Sequence, residues 1–97
     1  MAVLNFVQDG KRWLSDVISP SSSNIEICVR FKYAGGGHVG VLRSIDGAEF
    51  TPHESGTVGN LGRKTKMVIF NISGIVPGAF LRFISTAEPD SGCEWRE

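Results

Sequence analysis

NIEICVRFKY, residues 24 to 33, decides the fold class. Ile25, Ile27, Val29, Phe31 and Tyr33 alternate with Glu26, Cys28, Arg30 and Lys32. A period of two places the first set on one face of an extended chain and the second on the other. On a helix the same apolar residues would scatter around the circumference. The stretch therefore predicts a strand with one face in a core and one face toward water. SPSSSN, residues 19 to 24, precedes it and reads as a turn or linker, because these side chains compete with regular backbone pairing. AGGGHVG follows it and is too glycine-rich for a strand interior.

Outward from this strand the chain is a series of short extended runs. Trp13, Val17 and Ile18 mark one, and Leu4, Phe6 and Val7 mark an edge strand or an arm, so residues 1–18 are set apart as possible N-terminal arm or edge strands. The pair Asp9-Gly10 is expected as a tight turn between them. Two strands are expected at about 39–45 and 48–53, joined at Asp46-Gly47. From His53 to Lys66 the reading is turn-like. KMVIFNIS (66–73) and AFLRFIS (79–85) are apolar on both faces, the signature of strands covered on both sides. Pro77-Gly78 between them suits the two central positions of a type II turn. A last short strand is expected around Cys93–Trp95. No 3.6-residue stripe with caps is present. About seven short strands at regular spacing predict an all-β fold, an antiparallel β-sandwich or small jelly roll, in one domain over 1–97.

Composition narrows the function classes. The chain has 97 residues, 41% of them apolar and 21% charged, and ten Lys plus Arg balance ten Asp plus Glu. A neutral domain has no long-range field that steers it to nucleic acid or an anionic membrane, so neither is an expected partner. The start lacks the charged and apolar regions of a signal peptide, and no apolar run reaches membrane-spanning length. Two reduced cysteines, Cys28 and Cys93, and synthesis in a cytoplasm are expected.

The candidate sites are weak as chemistry. An Asp-Gly pair between strands is a type I′ hairpin signal, which would set Ile45 opposite Ala48 and Arg43 opposite Phe50. Asp46 as a calcium ligand would need about six oxygens, and Glu49 is its single acidic neighbour. GGGHVG lacks the following helix and the lysine of a phosphate loop. His38, His53, Cys28 and Cys93 stand in no metal-ligand spacing, and the carboxylates do not converge for acid–base work. Asn71-Ile72-Ser73 reads as a coincidental glycosylation pattern inside a strand, and Arg63, Lys64 and Lys66 as a solvated basic loop. No cofactor, no metal and no catalytic group is expected. The features that suggest contact with proteins are the tip Ile75-Val76, expected to be exposed, and the apolar arm Leu4, Phe6, Val7. Strands apolar on both faces also invite cover from a partner subunit. A carbohydrate-binding module is the alternative, with Trp13, Tyr33 or Trp95 as stacking rings.

One resemblance adds to this. VLRSIDGAEFTP, through Val41, Arg43, Ser44, Asp46, Gly47, Phe50 and Thr51, and GAFLRFIS, through Gly78, Phe80, Leu81 and Arg82, resemble a strand pattern of small β-sandwich virion proteins of tailed bacteriophages. The same pattern is similar, more loosely, to galactose-binding-like and discoidin-like modules, where the hairpin is structural. A sialidase Asp-box is also similar, but this chain lacks the residue between Asp46 and Gly47 and has Phe50 in place of Trp. The resemblance covers about half the chain. It implies a non-enzymatic structural protein of a virion, a capsid decoration (auxiliary head) protein or a head or tail appendage component. Its expected partners are other virion proteins and itself as a homo-oligomer.

Overall fold

The computed structural model describes residues 2–33, 38–58 and 66–97, with the side chains of 53–58 outside the description. Two antiparallel sheets pack face to face as a β-sandwich, and no helix occurs among the described residues. The strands are β1 (Ala2–Val3), β2 (Phe6–Asp9), β3 (Arg12–Ser15), β4 (Ile25–Arg30), β5 (Val39–Ser44), β6 (Thr51–Val58), β7 (Met67–Ile72), β8 (Phe80–Ser85) and β9 (Glu94–Arg96). One sheet has the order β1-β9-β4-β7 and the other β2-β3-β8-β5-β6.

The alternation in β4 does what its period dictates. Ile25, Ile27 and Val29 are buried, and Glu26, Cys28 and Arg30 face away from the core. In the ladder with β7 their partners are Ile72, Phe70 and Val68, so those three also face inward. From the opposing sheet Val39 and Val41 of β5 and Leu81 and Phe83 of β8 complete the core. Removing each such side chain from water contributes about 1.5–3 kcal/mol. The expected strand runs too far at its end: Phe31 makes only an isolated bridge to Pro89, and Tyr33 lies largely exposed beyond it.

β8 is the central strand of its sheet, held by β3 on one side and β5 on the other. Its ladder with β3 stops at Leu14 and Ile84, and the Ser15 hydroxyl then takes over by accepting from the Phe83 N–H at 2.7 Å. Arg82 donates from Nε to the Ser15 carbonyl at 2.8 Å, which fixes its long stem along the sheet. Buried Ser15, Ser44 and Ser85 are all hydrogen-bonded, as buried hydroxyls must be to avoid an uncompensated desolvation cost.

Several expectations are corrected here. β7 is buried on one face only: Met67 and Ile69 point outward and are exposed, because the sandwich has two layers and no described element covers the outer face of this sheet. The segment from His53 to Val58 is strand rather than turn, since β6 continues to Val58 along β5. An edge strand pairs through its backbone and does not need an alternating apolar pattern to do so. Of the two readings of the N-terminal run, arm or edge strands, the second is the one seen: β1 pairs with β9, and β2 pairs with β3 around Gly10 and Lys11, both at sheet borders. The run AGGG (34–37) and the basic residues Arg63 and Lys64 lie outside the described residues.

Candidate functional site

The two halves of the resemblance motif meet at one end of the sandwich. β5 and β8 are neighbours, with Arg43 opposite Leu81 and Ser44 opposite Phe80. Beyond them the loop 45–50 and the turn at Pro77-Gly78 wall an open cleft of about 850 Å³. Its exposed lining is mostly apolar surface, with Arg43, Ser44, Asp46, Glu49 and Thr51 as the polar residues.

The turn at Pro77-Gly78 forms as expected. Ala79 donates to the Val76 carbonyl at 2.9 Å, and Gly78 takes φ 90°, the conformation a type II turn requires at its third residue. Val76 is left 66% exposed on the rim. Ile75 is not exposed with it. Its N–H donates to the Ser23 carbonyl at 3.1 Å, which turns the side chain into the core, where it is 4% exposed. Adjacent residues in an extended segment point opposite ways, so one of an apolar pair is buried while the other is presented.

The Asp46-Gly47 loop departs from the hairpin expected of it. Arg43 lies opposite Thr51 rather than Phe50, so the connection spans 45–50 instead of two residues. A type I′ turn needs positive φ at both central positions, and only Gly47, at φ 83°, has it. Asp46 instead acts as a bracket inside the loop. Its Oδ1 accepts from the Ser44 hydroxyl at 2.8 Å, from the Ala48 N–H at 2.9 Å and from the Glu49 N–H at 3.1 Å. The Ser44 hydroxyl in turn accepts from the Gly47 N–H at 2.9 Å. The Ala48 N–H first, then the Glu49 N–H and the Ser44 hydroxyl hold the Asp46 carboxyl down at about 2. Gly47 passes over the Phe80 ring, close enough that a Cβ there would sit 3.6 Å from it. The outcome is that Ile45 stands 95% exposed, lining the same cleft as Val76. Ile45 was not among the residues the sequence singled out. Its only signal is its place between a capped Ser44 and the Asp-Gly pair.

The remaining sequence candidates fall elsewhere. Leu4 is 3% exposed, pinned by its N–H donating to the Cys93 carbonyl at 2.8 Å, so it belongs to the core and not to a surface. Phe6 packs half-buried against that core, and Val7, on the border strand β2, is largely exposed. Trp13 and Trp95 are half-buried in opposite sheets, Trp95 against the core. Tyr33 alone of the three rings is largely exposed, with Lys32 Nζ 5.8 Å from its centroid. None of the three lines the end cleft.

A second, smaller groove of about 280 Å³ crosses the outer face of the four-stranded sheet, over Cys28, Arg30, Met67 and Ile69, and Trp95 lines it. Arg96 and Glu26 form an ion pair at 2.6 Å along it. Cys28 and Cys93 carry free thiols. Burial pushes the Cys93 thiol above its ordinary range, which favours the neutral thiol over the thiolate. Among the described residues no three His, Cys, Asp or Glu side chains gather as metal ligands, and no helix is long and apolar enough to cross a membrane. Compared with protein-family models, with curated proteins and with solved structures, the chain gives no match.

Proposed function

We propose that this chain is a non-enzymatic structural protein that works through protein–protein contact, as a capsid decoration protein or a head or tail appendage component of a bacteriophage particle. The observation that carries the contact is the pair Ile45 and Val76. Two large aliphatic side chains stand in water at one open cleft, each on a turn held by internal hydrogen bonds. Burying them against a partner recovers the hydrophobic free energy that the free chain forgoes. Because both turns are preset by internal hydrogen bonds, little ordering cost accompanies docking. The virion setting rests on the resemblance of Val41–Thr51 and Gly78–Arg82 to small phage β-sandwich proteins, and residues of both segments line this cleft beside Val76 and Pro77.

The test is co-sedimentation of the purified chain with shells and tails of a phage that encodes it. Binding is expected, and the double variant Ile45→Asp, Val76→Asp is expected to lose it while keeping the wild-type melting curve. A chain that sediments with neither particle part, or a double variant that binds unchanged, would overturn the reading.

A further inference from the structure

Four strands border the two sheets: β1 and β7 in one, β2 and β6 in the other. An open border presents unpaired N–H and C=O groups, and folds blunt it by short length, charge, proline or a bulge. Three of the four carry such a device. β1 has two residues, and β2 is short and ends in Asp9. β6 contains Pro52, and its ladder with β5 shifts register between Gly40 and Leu42. β7 is different. It reads MVIFNI, six residues without charge, proline or glycine, and no strand among the described residues pairs with its outer side.

We propose that β7 is a self-pairing edge: two copies of the chain join through antiparallel β7–β7 pairing about a two-fold axis at Ile69, merging two four-stranded sheets into one of eight strands. The second copy is the occupant because β7 carries no charge or proline that would oppose its own image across the axis. With Ile69 opposite Ile69 of the partner subunit, Met67 meets the partner's Asn71 and Val68 meets the partner's Phe70. Outward residues then meet outward ones and inward meet inward, as strand pairing demands. Charge does not oppose the pairing. Within each copy Arg30 lies beside Met67 and Glu26 beside Asn71. Arg30 donates to the Gly92 carbonyl and Glu26 pairs with Arg96, both on the side away from the β7 edge. Lys66 of the two copies falls at opposite ends of the pair, whereas parallel pairing would set like charges side by side. Cys28 neighbours Ile69 on the outer face, so the axis carries a continuous apolar strip from one copy to the other. Ile69, 55% exposed in the single chain, is its centre. The edge shares no residue with the end cleft, so it goes beyond the contact proposed above and stands or fails separately.

Sedimentation from micromolar to near-millimolar concentration tests it. The mass is expected to rise toward twice the 10.5 kDa of one chain. Ile69→Lys faces two like charges across the axis and is expected to leave a monomer at every concentration. Its side chain points to water, so its melting curve should stay near wild type. In a Cys28→Ser background, Ile69→Cys is expected to cross-link with a short bifunctional thiol reagent, because directly opposed residues have Cβ atoms only about 4.5–5.5 Å apart. A wild type that is monomeric throughout, a dimer that survives Ile69→Lys, or an Ile69→Cys variant that does not cross-link would each overturn the proposal. A dimer lost in Val76→Asp but kept in Ile69→Lys would overturn it too, moving self-association to the end cleft.

Discussion

The chain uses the dipeptide Asp-Gly twice, and the two copies do different jobs. At Asp9-Gly10 the aspartate is the last paired residue of its strand, opposite Arg12, and the turn proper is Gly10-Lys11. Gly10 has φ 65° at the first central position, and Lys11 does not share a positive φ, the pattern of a type II′ hairpin. At Asp46-Gly47 the aspartate sits within a six-residue loop and accepts three hydrogen bonds there. The difference comes from what surrounds each pair. Ser44, two residues ahead of Asp46, supplies a hydroxyl that both donates to the carboxylate and accepts from Gly47, and Phe80 supplies a floor. Asp9 has only Arg12, at 3.6 Å on the surface, a contact worth little in water. A dipeptide thus nominates a turn, and its neighbours choose which one.

That contrast can be broken from the floor upward. Phe80→Ala removes the ring under Gly47, and since Phe80 is half-buried the cost is expected near 2 kcal/mol, below the 3–5 typical of a fully buried Phe. Denaturant unfolding reads it, and loss of the Ala48 and Glu49 amide protection in hydrogen exchange should accompany it. If those amides stay protected, the bracket stands without its floor. The two glycines come next. Gly47→Ala and Gly10→Ala both force a side chain into positive φ, at about 1–2 kcal/mol each. A new Cβ meets the Phe80 ring in the first case and open space in the second. Equal destabilisation of the two variants is therefore expected, because 3.6 Å is ordinary contact. A much larger loss at Gly47 would show that the loop tolerates no ring displacement.

The smallest effect is expected from pH. The Asp46 carboxyl is lowered from 3.8 to about 2, so the folded state favours its ionised form. The bracket's contribution is complete above the unfolded value and fades as pH falls from about 4 through about 2. Asp46→Asn should therefore be less stable than wild type near neutrality, with the gap closing over that acid window. A gap that is constant down to pH 2 would mean the carboxylate charge plays no part.

Strand β4 was legible because burial on one face imposes its period directly on the residues. The type II turn at Pro77-Gly78 was legible for a similar reason, since both residues meet local dihedral demands. Strand β6 was not, because at a border the backbone ladder holds the strand and the side chains of PHESGT show no pattern. The site was half legible. Val76 and the motif around Asp46 were singled out from the sequence, but the six-residue loop and exposed Ile45 depend on hydrogen bonds among Ser44, Asp46 and Glu49 that no dipeptide rule contains.

The sequence by itself determined an all-β chain, its alternating central strand and the places where it turns, because these follow from period and dihedral preference within a few residues. Tertiary structure decided which apolar residues are presented. Leu4 and Ile75 are drawn inward by backbone bonds to Cys93 and Ser23, residues far along the chain, while Ile45, Ile69 and Val76 are left outside. Hydrophobicity is a property of a residue, but exposure depends on who its neighbours are, and those neighbours are set by strand order.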